Sequence, residues 1–125
     1  MHFRDLIAYQ KAFKLAMDIF VLSKDFPEEE HYSLTDQIRR SSRSTCSNIA
    51  EAHRKRIYPK HFISKLTDSD GENSETLVWL DFAIACKYID GESYEKLSSE
   101  NEEIGKLLNY MILNPEKFGS KMDTE

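Results

Sequence analysis

Three prolines punctuate this chain, and between them the apolar residues recur at the spacing of a helix. Proline holds the residue before it in extended backbone, so Phe26-Pro27, Tyr58-Pro59 and Asn114-Pro115 each mark a helix boundary. With only 4 glycines beside the 3 prolines, the chain lacks the turn residues that many short strands require. The pattern predicts an all-α fold.

The first helix is expected from about Phe3 to Ser23. Leu6, Phe13, Met17 and Phe20 set its stripe, and Ala12, Leu15, Ile19 and Leu22 widen it, so it should face more than one neighbour. Glu28, Glu29 and Glu30 form a short acidic turn. The second helix is expected from about Ser33 to Arg56, with Ser33 and Asp36 at capping-box spacing. At ~100° per residue, Leu34, Ile38, Thr45, Ile49 and Ala52 fall within an arc of about 60°. Arg39, Arg40, Arg43 and Arg54 occupy an arc of about 100° on the opposite side. Ser41, Ser42, Ser44, Thr45 and Ser47 are small, which permits close helix approach but lowers helix propensity.

Pro59 suits the first position of a third helix running to about Ile89. Phe62, Leu66, Leu77, Leu80, Ile84 and Tyr88 follow its inner face, with Trp79, Phe82 and Ala83 beside them. Its polar middle, Asp68 to Ser74, contains Gly71 and admits a break on composition alone. Ile89-Asp90-Gly91 makes a turn into a fourth helix, about Ser93 to Leu113, with Leu97, Ile104, Leu108 and Met111 inward. Four such helices with short connections predict an antiparallel up-down-up-down four-helix bundle over residues 1–115. The tail, 116–125, is expected to fray.

The chain has 125 residues, enough for one domain with a real core. No apolar run is long enough to cross a membrane, and the N-terminus lacks an apolar signal region. Cys46 and Cys86 are far apart, which fits neither a disulfide scaffold nor a zinc knuckle. A reduced, cytoplasmic location is the expectation.

The net charge of −5 argues against a uniformly basic nucleic-acid binder, but the charge is not evenly spread. Residues 1–36 carry 4 basic and 7 acidic side chains, residues 66–125 carry 5 and 14, and residues 37–65 carry 8 and 1. The one acid in that middle segment is Glu51. A solvated face paired with acidic neighbours would explain the segment, and so would an anion-binding surface.

The run from Gln37 to Ala52, QIRRSSRSTCSNIAEA, resembles the signature of the four-helix-bundle family encoded in intervening sequences of bacterial large-subunit ribosomal RNA genes. The accessory variability proteins of diversity-generating retroelements are related to it. Phe26-Pro27, Glu30, Tyr32, Leu34, Gln37, Arg39, Arg40, Ser44, Asn48, Ile49, Ala50 and Glu51 match the family pattern. Phe62, Gly71, Glu72, Glu75, Thr76, Trp79, Leu80 and Ala83 are similar to a variant of its third helix, and Phe3 to Leu6 and Tyr9 to Ala12 to its opening. Cys46 stands where the family has proline, which should straighten helix two. Ala52 stands where it has glycine, which should extend that helix or remove a close contact. The resemblance implies a homo-oligomeric ring, typically a pentamer, and a helix three continuous through Gly71. For retroelement relatives it implies a nucleic-acid-binding basic surface and a reverse transcriptase partner.

The residues offer three functions. Arg39, Arg40, Arg43, Arg54, Lys55, Arg56 and Lys60 form a row able to track RNA or DNA phosphates, without base selection. Alternatively Arg39 and Arg40 are structural and pair with Glu51, Glu72 or Glu75, and the ring is a protein-binding adaptor. Third, Arg54 or Arg56 with His61 resembles the Arg-x4–6-His motif of HEPN ribonucleases, although Pro59 and Ile57 depart from it. A non-enzymatic reading fits better, with no cofactor or metal expected. Glu28 and His31 are the one Glu-x-x-His spacing, and they lie in a turn. Trp79 belongs to the core or to an oligomer interface.

Overall fold

A computed structural model describes residues 1–121. Among them are four α-helices and no strand: α1 (Ile7–Ser23), α2 (Leu34–Arg54), α3 (Pro59–Ala85) and α4 (Gly91–Leu113). Short 3-10 turns precede α1 (Phe3–Asp5), precede α2 (Glu28–Glu30) and follow α4 (Pro115–Phe118). In this helical bundle α1 packs on α2 and α4, and α3 packs on the same two helices. Ile19, Ile38, Ile49, Phe62, Leu66, Leu80, Ile104 and Leu108 are shut off from solvent between them.

Helix one starts later than its periodicity suggests. His2 and Asp5 cap the Phe3–Asp5 turn reciprocally: the Arg4 amide donates to His2 Nδ1 at 3.2 Å, and the His2 amide donates to Asp5 Oδ2 at 2.9 Å. Leu6 is then extended, at φ −70° and ψ 127°, and α1 begins at Ile7. Its buried face also differs from the expected stripe. Ala8, Ala12, Leu15, Ala16 and Ile19 face the core, whereas Phe13 and Met17 are 51% and 46% exposed. Alanines at i, i+4 and i+8 let α1 approach its neighbours closely, which turns the bulkier side chains outward.

The cap of α2 comes from the acidic turn and not from Ser33–Asp36. Ser33 makes no side-chain cap; its hydroxyl donates to Glu30, whose Oε1 also accepts the Leu34 amide at 3.3 Å. The other Glu30 oxygen accepts the Tyr88 hydroxyl at 2.8 Å. Hydrogen bonds from Ser33, Tyr88 and Leu34 hold the Glu30 carboxyl below its ordinary range.

Two of the small residues of α2, Ser41 and Thr45, meet α3. Ser41 and Thr76 hydroxyls share a 2.8 Å hydrogen bond, and the Ser69 hydroxyl donates to the Thr45 carbonyl at 2.8 Å. α2 runs unbroken through Cys46, and Ala52 is fully buried. α3 begins at Pro59 and is continuous past Gly71. It stops at Ala85, short of Ile89, because Lys87 turns left-handed (φ 63°) and the Tyr88 amide reaches back to the Ala83 carbonyl at 2.9 Å.

Asn73, in the polar stretch that composition left open, is buried against Asn101 of α4. Asn73 Nδ2 donates to the Asn101 carbonyl at 2.9 Å, and Asn101 Nδ2 returns a 2.8 Å bond to the Asn73 carbonyl. α4 starts two residues earlier than expected, capped by Asp90 Oδ1 accepting the Ser93 amide at 2.7 Å. After Pro115–Phe118, Gly119 takes φ 83° and Ser120 is buried. The remainder, 122–125, lies outside the described residues.

Candidate nucleic-acid interface

The basic residues of α2 divide into three groups, according to which element each one meets. Arg39 and Arg43 lean over α1. The Arg39 guanidinium lies 4.8 Å from the Phe20 ring centroid, and its Nε donates to Ser23 Oγ at 2.8 Å. Arg43 lies 5.5 Å from the same ring. A third cation, the Lys24 ammonium, stands 4.8 Å from it. All three distances are within cation–π range. No carboxylate lies within ion-pair reach of these three among the described residues. Lys24 escaped the sequence reading because it stands in the net-acidic first segment, where averaging hides it.

Arg40 faces α3. Its charge favours ionised Glu72, yet the pair makes no salt bridge, and burial with Glu75 and Asp68 nearby raises the Glu72 pKa regardless. Glu51 pairs with Lys65 across α2 and α3 at 2.9 Å, and not with an arginine. The structural pairing of Arg39 or Arg40 with Glu51, Glu72 or Glu75 is therefore absent among the described residues.

Arg54 and Lys55 at the C-terminal end of α2, and Lys60 in the first turn of α3, are exposed. Arg56 is engaged within the fold. Its Nη1 donates to the His53 carbonyl at 2.8 Å, and its side chain runs beside Gly119, where an added Cβ would meet Arg56 Cδ at 3.3 Å. The His61 ring sits against Tyr58, with centroids 5.8 Å apart. His53 carries no signal in the sequence and is only 5% exposed. Its Nε2 lies 3.1 Å from the Met1 carbonyl, and burial first, then the charge of Arg56, lowers its pKa.

Two grooves flank the basic helix. Tyr9, Phe13, Met17, Arg43 and Cys46 line one of about 360 Å³ between α1 and α2. Tyr32, Leu34, Gln37, Trp79, Phe82 and Cys86 line another of about 400 Å³. Trp79 is half-buried beside Phe82, and its buried indole N–H has no acceptor among the described residues. Tyr32 is 89% exposed and Phe82 54%. Cys86 is exposed, and burial pushes the Cys46 thiol up to about 11. The described residues contain no cluster of metal-ligating side chains and no helix long and apolar enough to cross a membrane.

Comparison with known proteins agrees with this architecture. No curated protein matches the chain. Among solved structures, a protein of unknown function from the S23 ribosomal protein family of Bacteroides thetaiotaomicron is 33% identical, with a TM-score of 0.78 over 86% of this chain and 96% of that one. The family model described as 23S rRNA-intervening sequence protein matches residues 4–110. With nearly the whole bundle matched, the chain belongs to the 23S rRNA-intervening sequence protein family.

Proposed function

We propose that this protein is a non-enzymatic binding protein whose α2 basic face holds the phosphates of RNA or DNA. The observation that carries the reading is the set of exposed cations, Lys24, Arg40, Arg43, Arg54, Lys55 and Lys60, which make no salt bridge among the described residues in a chain of net charge −5. An acidic protein that leaves one basic stripe unneutralised presents it to an anion. From Arg39 to Arg54 the stripe covers about 22 Å of helix, which suits a polymer better than a single small anion. The family's name makes structured RNA the first probe.

In the same proposal the helices run up-down-up-down and copies close into a ring of five. A ring needs two different patches on each subunit. Two apolar patches lie away from the Phe20 cations: the Trp79–Phe82–Tyr32 groove beside α3, and a patch of Ile7, Leu107, Tyr110 and Phe118 beside α4. The second reading, a ring that acts as a protein adaptor, is favoured by one observation. The exposed Tyr32 and Phe82 rings beside half-buried Trp79 give an aromatic face of the kind a second polypeptide covers. A reverse transcriptase is the partner that the retroelement resemblance suggests.

Anisotropy titration against structured RNA and duplex DNA at two salt concentrations tests the first reading. Affinity is expected to fall log-linearly with salt, and Arg40→Glu with Arg43→Glu to cut the slope by about 1 per arginine. Absence of binding at low salt overturns it and leaves the adaptor.

A further inference from the structure

We propose that the groove between α1 and α2 is a binding site for single-stranded RNA, with unstacked bases on α1 and their phosphates on Lys24, Arg39 and Arg43. This rests on the phosphate-binding reading and deepens it by naming the ligand class. The observation is the pairing of two surfaces. Three cations converge on the Phe20 ring, at 4.8, 4.8 and 5.5 Å. Arg43, one of the three, also lines the adjoining apolar groove with Tyr9, Phe13 and Met17.

Along the outer face of α1, Tyr9 and Phe13 stand with ring centroids 6.1 Å apart, Met17 follows one turn on, and Phe20 ends the row under the cations. Tyr9 to Phe20 covers about 16 Å of helix. Phe13 and Met17 are exposed, and Tyr9 and Phe20 half-buried. A partly open aromatic row that ends in cations without a salt bridge among the described residues matches one common polymer, a strand whose bases are flat and apolar and whose backbone is anionic. A duplex keeps its bases stacked inside, so its phosphates can reach the cations but no base face can lie on the rings. The groove volume, about 360 Å³, lies at the lower end of small-ligand sites. The C-terminus of α1 opposes an anion with roughly half a negative charge, against three full positive charges beside it. The Ser23 hydroxyl fixes Arg39, so this part of the clamp is set before a strand arrives.

The test measures anisotropy with three probes at low salt: a short oligouridine, an abasic strand with the same number of phosphates, and an RNA duplex. The protein is expected to bind oligouridine about tenfold more tightly than the abasic strand. Replacing Tyr9→Leu and Phe13→Leu keeps the face apolar but removes the rings. It should erase that preference and leave duplex affinity within about twofold. Equal affinity for oligouridine and the abasic strand overturns the inference while phosphate binding stands. So does a double variant that keeps the preference. If no probe binds, both readings fall together. Light scattering adds a separate check: loss of assembly in the leucine variant would show that a second copy occupies the groove, which also overturns the proposal.

Discussion

His53 shows what one buried titratable side chain does to a small fold. Its folded pKa is lowered from the ordinary 6.5, so below that value the unfolded chain takes up a proton that the folded chain refuses. Stability is therefore full above about pH 6.5 and declines as pH falls toward the folded pKa. Thermal melts between pH 7.5 and 5.5 should show a falling Tm for the native protein and a flatter profile for His53→Gln. An unchanged slope in the variant would assign the acid sensitivity to another group. No sequence pattern points to His53; its shift comes from burial in the packed bundle and from the charge of Arg56, against which the Met1 carbonyl works. Lys24 sits beside Phe20 because the two are one helical turn apart at the end of α1; the arrival of Arg39 and Arg43 at the same ring depends on how α2 packs on α1. Arg40 and Arg43 were legible, because helical periodicity alone puts them opposite Ile38 and Ile49.

Among the elements, identity was easier to read than extent. Proline and the spacing of Leu97, Ile104, Leu108 and Met111 were enough to place four helices. Two of the ends moved where one residue leaves helical backbone. Leu6 goes extended and delays α1, and Lys87 goes left-handed and shortens α3. Lys87→Gly should remove the cost of a side chain at positive φ and raise stability by up to about 1 kcal/mol, read as a higher urea midpoint at constant m-value. A drop in midpoint would mean that the Lys87 side chain contributes something the bond from Tyr88 to Ala83 does not. The face of α1 was legible in part: Leu6, Ala12, Leu15 and Ile19 are buried as expected, but large apolar residues dominate a periodicity argument, which put exposed Phe13 and Met17 in the stripe and left out Ala8 and Ala16.

For the whole molecule, the uneven surface is the main fact. Apolar side chains stand out from α1, from α3 and from the α1–α4 side, each on a different side of the same core. The assembly proposal assigns the last two to subunit contacts. Light scattering should find Phe82→Glu and Tyr110→Glu each sufficient to reduce the particle mass, because a heterologous ring fails when either half of its contact is lost. A native protein that already runs as a monomer would remove the ring. The charge segregation visible in the sequence is kept in the fold: among the described residues no arginine of α2 makes a salt bridge with the acidic segments around it. The reciprocal amides of Asn73 and Asn101 act on this scale too. A slide of α4 along α3 by one turn would strand both amides in an apolar seam, so the pair works as a key with one seating. It contributes little net strength, but it tells the two helices where to stop, and every surface the bundle presents inherits that alignment.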